Sequence, residues 1–340
     1  MTLPDALAAA MAVALVAYVL LSGADYGGGI WDLLASGPRR REQRARIEQA
    51  IGPIWEANHV WLILVVVVLF TGFPTAFAAV STTLFVPLTL LLVGIVLRGA
   101  AFTFRAYDRP DDRVQRAWGL VFSASSVLAP LVLGAAVGAL ASGRLRVGPD
   151  GMPLGGPAAW LSPFTAATGL LAAALFAFLA AVYLTVEARG PLREDFRRRA
   201  IGAGAAVFGA ALAAAVLSWR EAPLVFHGLT RRAWSIPLHL ATAAAAVSAF
   251  AALLARRFRL ARGAAAAQAG LIVLGWAASL RPYLVVPDVT IAGASAPPET
   301  QRLLLLALVA GTVTLVPSLW LLFRVFKREG PGTPGGDEPG

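Results

Sequence analysis

Nine apolar stretches, each long enough to cross a lipid bilayer, leave this chain few ways to fold. They fall near 6–35, 54–74, 77–102, 117–141, 161–187, 200–219, 235–255, 264–284 and 302–326. About 20 apolar residues of helix cross the hydrocarbon core. Every stretch is longer than a strand and lacks period-two alternation, so helices are expected and barrel strands are not. Only 14% of residues are charged, against roughly 25% in soluble domains. The expected fold is therefore an all-α integral membrane protein with nine transmembrane helices. Residues 1–328 form the polytopic membrane domain, and the Gly/Pro-rich residues 329–340 are expected to be a disordered tail. Pro74, Pro87, Pro130 and Pro317 are expected to kink their helices.

The net charge is +10, a value that also suits a nucleic-acid binder. Its distribution argues otherwise. The loops after odd-numbered spans, with the C-terminal tail, hold 22 of the 29 basic residues, among them Arg39, Arg40, Arg41, Arg44 and Arg46 in the first loop. By the positive-inside rule these loops and the C-terminus are cytoplasmic and the N-terminus is outside. An odd number of spans requires that arrangement. The charge is thus mostly topology, and no nucleic-acid partner is expected. The first span has no basic leader or small-residue cleavage site and reads as an uncleaved helix. Loop 36–52 suits a short cytoplasmic surface helix. Loops 141–160 and 285–301, rich in Gly and Pro, are expected outside with little regular structure.

Cysteine is absent, and the chain has three His and three Met. Disulfides, thiolate metal sites and iron–sulfur clusters are excluded, and ligands for haem or metal are scarce. Glu56 and His59 make a Glu-x-x-His pair on one helical face, but a di-metal bundle needs a second copy. Neither His227 nor His239 has a Glu three residues before it, so no metal site is expected. His59 reads as a packing or proton-path residue. His227 is expected in an external loop, in solvent. His239 is expected to face the bundle interior near the outer surface.

The chemistry gathers in two stretches. One is Gly23-Ala24-Asp25-Tyr26-Gly27-Gly28-Gly29, inside the first span. The other is Pro53-Ile54-Trp55-Glu56-Ala57-Asn58-His59-Val60-Trp61-Leu62, at the mouth of the second. Ionisable groups inside a membrane are costly, about 2.5–3.5 kcal/mol on insertion scales, and mark functional sites. A competing reading makes the second stretch an interfacial belt, with Trp at headgroup depth and Glu56 and His59 reaching to water. Counting 1.5 Å per residue, Asp25, Glu56 and Arg98 are expected at similar depth in the cytoplasmic half. They can form a buried ion pair that ties three helices together, a proton-conducting carboxylate held near Arg98, or both. Gly27, Gly28 and Gly29 are expected to serve close helix packing.

Together the two stretches resemble subunit II of the cytochrome bd quinol oxidases. That family carries G-x-D-x-G-x-G in its first helix and P-x-W-[DE]-x-N-x-x-W-L at the start of its second. Phe70-Thr71-Gly72-Phe73-Pro74 and Leu97-Arg98-Gly99 extend the likeness, which is strong over about the first third of the chain. The resemblance implies two four-helix bundles plus one extra helix, in a bacterial plasma membrane. It implies a subunit of an enzyme that oxidises quinol and reduces O2 to water. Haem b and haem d would be bound by a partner, subunit I, with a small accessory subunit, lipid and a bound quinone as further companions. Proton-path residues would be Glu56, Asp25, Ser22 and His59, with Arg98 as a structural ion-pair partner. Many family members have an Asp where this chain has Ser22, which puts a carboxylate relay at that point in question. Trp55, Asn58 and Trp61 are the candidates for quinone contact. The competing reading is a proton-coupled secondary transporter, with Asp25 and Glu56 coupling protons to substrate movement; a purely structural membrane scaffold is a third.

Overall fold

The computed structural model describes residues 2–51, 59–107, 112–148, 154, 156 and 158–328. Trp55, Glu56 and Asn58, the start of the expected second span and the tail 329–340 lie outside them.

Among the described residues the chain forms twelve helices and one small hairpin. The helices are α1 (Leu3–Leu33), α2 (Arg40–Ile51), α3 (Val60–Gly72), α4 (Pro74–Thr83), α5 (Phe85–Tyr107) and α6 (Asp112–Ala141). Then come α7 (Pro163–Glu187), α8 (Gly190–Glu221), α9 (Pro223–Arg231), α10 (Ser235–Leu254), α11 (Phe258–Leu280) and α12 (Pro298–Arg328). Eight helices are long and apolar enough to cross a membrane, and α3 with α4 makes a ninth span if that bent pair is counted as one. α2 is the surface helix expected between the first two spans.

Three details depart from the sequence reading. The third span starts at Phe85 and not near residue 77, because Pro74–Thr83 is a separate helix turned 118° from α3. Pro74 opens that helix, where a missing N–H does no harm. Pro87 likewise sits in the first turn of α5, so it starts a helix and does not kink one. The external loop near 285–301 is also more ordered than its composition suggests. Tyr283–Val285 (β1) and Val289–Thr290 (β2) pair antiparallel, with Tyr283 opposite Thr290.

The spans pack as two four-helix groups. α1, α3, α5 and α6 form the first; α7, α8, α10 and α11 form the second. α1 and α6 against α7, and α1 against α11, join the groups, and α12 lies against α1 and α3. α7 is apolar nearly all round, as suits a span with most of its length buried. Phe176, Phe178, Leu179, Ala181 and Val182 on it are fully buried. The membrane-crossing part of α12 has no buried residue.

Small residues let the central helices approach closely. A methyl group built on Gly27 would overlap the Phe176 carbonyl, and one on Gly29 would overlap Ser126 Oγ. The glycine run is the contact surface of α1 with α7 and α6, as small residues serve in membrane bundles generally.

Polar loop contacts sort into two ends. At one end Asp5 meets Arg281 at 2.6 Å, Arg144 meets Glu221 at 3.7 Å, and the Ala296 N–H donates to the Gly72 carbonyl. Arg146 pairs with Asp288 at 2.8 Å, and the Val147 N–H donates to the same carboxylate. At the other end Arg39 meets Asp195 at 2.6 Å, Arg199 donates to Gln43 at 2.8 Å, and Arg256 meets Glu194 at 3.6 Å. These are the even and odd loops of the charge pattern.

The hydrogen bonds from Arg146 and then Val147 hold the Asp288 carboxyl below its ordinary 3.8. A depressed folded value gives stability that is present above the unfolded pKa and is lost as pH falls through the folded one. Acidification below about 4 is therefore expected to loosen the contact between loops 142–148 and 283–290. Hydrogen exchange in these loops should rise at acid pH in the wild type. In Asp288→Asn it should already be raised at neutral pH and respond little to acid. The effect is small, since the pair is exposed to solvent.

Candidate functional site

Where α1, α3, α5 and α6 meet, the structure buries charge inside the apolar bundle. Arg98 on α5 is 1% exposed and Asp25 on α1 is 3% exposed. Arg98 Nε donates to Ser126 Oγ on α6 at 3.2 Å, and Ser126 in turn donates to its own helix at the Phe122 carbonyl. The guanidinium lies 4.9 Å from the Tyr26 ring centre and 5.2 Å from that of Phe122. A buried cation between two aromatic faces, with a hydroxyl on its edge, is held in one orientation. Arg98 and Asp25 both act electrostatically on Tyr18 and Tyr26, which puts the two charges in one cluster.

His59, at the start of α3, completes it. Its ring centre lies 6.2 Å from Tyr18 and 5.9 Å from Tyr26, and Tyr26 stacks on Phe176 of α7. Ser22 is fully buried one turn before Asp25. Trp61 is partly buried against the same core, its indole N–H without a hydrogen-bond partner among the described residues. The structure thus brings Ser22, Asp25, His59 and Arg98 to one region, with Trp61 against the same hydrophobic core.

Sequence reasoning missed three parts of the site. Tyr18 and Tyr26 are buried, and their hydroxyls interact with one another. Asp32, near the end of α1, is 1% exposed and accepts from Ser123 Oγ at 3.0 Å. Their spacing carried a signal: Ser22, Asp25, Gly29 and Asp32 fall on one helical face.

The three imidazoles stand in different surroundings. His59 lies in the buried cluster, whereas His227 and His239 are exposed on α9 and α10. His239, expected to face the bundle interior, instead turns outward and its Nδ1 contacts the Ser235 carbonyl of its own helix at 2.6 Å.

Fold and site define a polytopic helical membrane protein with a charged, hydroxyl-rich cluster buried toward one end of its bundle. Residues 3–326 match the family described as cytochrome bd terminal oxidase subunit II. The chain belongs to that family. It is 28% identical over 210 residues to cytochrome bd ubiquinol oxidase subunit 2 of Bacillus subtilis, covering 61% of this chain and 60% of that relative. It is 22% identical over 324 residues, 92% of each chain, to a putative cytochrome bd menaquinol oxidase subunit II of the same organism. In fold it is similar to the bd oxidase from Geobacillus thermodenitrificans, with a TM-score of 0.81, 22% identity, and 96% of this chain and 99% of that one covered.

Proposed function

We propose that this chain is the subunit of a quinol:O2 oxidoreductase that does not ligate haem, and that it packs in a bacterial plasma membrane against a haem-bearing subunit I. The observation that carries the reading is the family match over 3–326, joined to a chain with no cysteine and only three histidines. The haems would then belong to the partner and supply the electron transfer. The N-terminus lies outside and the Arg-rich end is cytoplasmic, as the clustering of odd loops supports.

Within that complex the buried cluster serves proton supply. O2 reduction to water takes up four protons for four electrons, and each reduction draws positive charge toward the haems. Asp25, in the same cluster as Ser22 and His59, is a carboxylate that can hold a proton in transit, and Glu56 is given the same role on its motif. Arg98 keeps the charge of the cluster near balance, so protons can come and go without stranding a bare carboxylate in the membrane. Trp55, Asn58 and Trp61 offer N–H groups and flat apolar faces that suit a quinone ring. The two Bacillus subtilis relatives are named for different quinols, and this chain's residues favour neither.

The test is quinol-dependent O2 consumption by the purified complex. Glu56→Gln is expected to lower turnover by about a hundredfold, the lower range of a lost proton carrier, at unchanged haem content. Glu56→Asp is expected to keep most of the activity. Full turnover in Glu56→Gln would remove that residue from the path. Proton-coupled transport by the isolated chain in liposomes, with no O2 consumption by any complex, would favour the transporter reading.

A further inference from the structure

We propose that Asp32 is the group through which cytoplasmic protons reach the Arg98 cluster, along a seam between α1 and α6 lined by Ser123 and Ser126. The proposal rests on the oxidase reading above and adds the intake to it.

The seam is built from both helices. On α1, Ser22, Asp25, Gly29 and Asp32 are spaced by three or four residues and form one stripe. On α6, Ser123 and Ser126 are one turn apart, and both are buried. Ser123 Oγ donates to Asp32 Oδ2 at 3.0 Å, and Ser126 Oγ receives Arg98 Nε at 3.2 Å. Gly29 sits opposite Ser126 Oγ so closely that a methyl group would displace it. The hydroxyls therefore run from Asp32 at the helix end to Arg98 and Asp25 inside.

Asp32 also lies beside a partly exposed arginine. Arg44 of α2 lies 3.8 Å from Asp32 Oδ1, and its Nε donates to the Asp32 carbonyl at 3.2 Å. The Arg44 side chain is 32% exposed, whereas that of Asp32 is 2% exposed. Arg46 donates to the Glu187 carbonyl, and Arg199 to the Leu34 carbonyl and Gln43. A carboxylate taken almost fully from water is costly. A helix end that needed only an anchor for Arg44 could hold the carboxylate in solvent. Here it is turned inward onto a serine.

The chemistry is proton hopping. A proton joins a carboxylate oxygen of Asp32 as another leaves toward the serines; only O–H bonds form and break. Ser123 and Ser126 lie about 5–6 Å apart by helix geometry, a gap one water bridges. Asp25 is two turns from Asp32, about 10 Å along the axis. The protons end in water formed from O2, with quinol as the electron source.

The experiment compares wild type, Asp32→Asn, Asp32→Glu and Ser123→Ala in the complete haem-bearing complex. It reads haem content, quinol-dependent O2 consumption and the pH profile of turnover. In Asp32→Asn we expect turnover at least about tenfold lower at full haem content, with activity restored in Asp32→Glu. In Ser123→Ala we expect a few-fold loss, with an altered pH profile of turnover. Wild-type turnover and pH profile in Asp32→Asn would overturn the proposal. If Asp32→Asn fails to assemble, Ser123→Ala decides, and an unchanged profile there overturns it. A wild-type complex that consumes no O2 with quinol would overturn the oxidase reading itself, and the intake with it.

Discussion

Replacing Arg98 by alanine is expected to abolish accumulation of the folded complex. The side chain is fully buried between the rings of Tyr26 and Phe122, and it bonds Ser126. Its removal deletes the cation beside the buried Asp25 and opens a cavity against two aromatic faces. Breaking a buried charge cluster from one side costs about 3–5 kcal/mol, a large part of the roughly 5–15 kcal/mol that holds a typical soluble domain. Arg98→Lys keeps the charge but loses the planar stacking, and is expected to assemble at reduced yield. Protein level and haem content in membranes read the result. A stable, haem-replete Arg98→Ala complex would contradict the structural role given to this residue.

Gly27→Val is expected to have an effect as large, by a different route. The Gly27 position faces the Phe176 backbone carbonyl, and Ala180 crowds the same space. Backbone cannot step aside as a flexible side chain can, so α1 and α7 would have to separate. Overpacking a tight core costs about 1–3 kcal/mol or more. Here the displaced contact joins the two helix groups, and the buried cluster rests on it. Gly202→Ala, at an α8 position with open space around it, is the control and is expected to behave as wild type. Normal accumulation of Gly27→Val would mean that the close approach of α1 and α7 is not required.

The hydrophobic periods made the helix count and the surface helix α2 legible, because apolar length and an Arg-rich amphipathic loop are local properties. The glycine run was legible too, since a cluster of small residues in a membrane helix has few uses besides close packing. The turn at Phe73 was legible only as the gap between two expected spans. Pro74 marks where a helix can start, but the 118° change of direction depends on what caps it: the Ala296 N–H on the Gly72 carbonyl. That partner comes from more than two hundred residues away. Asp32 was hidden for a similar reason. A carboxylate near a cytoplasmic helix end ordinarily reaches water, and only the packing of α6 and α2 over it reveals the burial. Arg98 was legible as a charge inside a membrane helix, whereas its seat on Tyr26, Phe122 and Ser126 was not. Glu56, the most suggestive residue of the sequence, lies outside the described residues, so its role rests on the motif.

The central claim is that this chain works as one half of a quinol oxidase. It is tested most directly by a reduced-minus-oxidised optical spectrum of the complex purified through a tag on this chain, with its subunits resolved alongside. The account predicts a haem spectrum, carried by a second membrane subunit that copurifies in equal amount. A colourless single chain, purified from cells with a full respiratory complement, would contradict it.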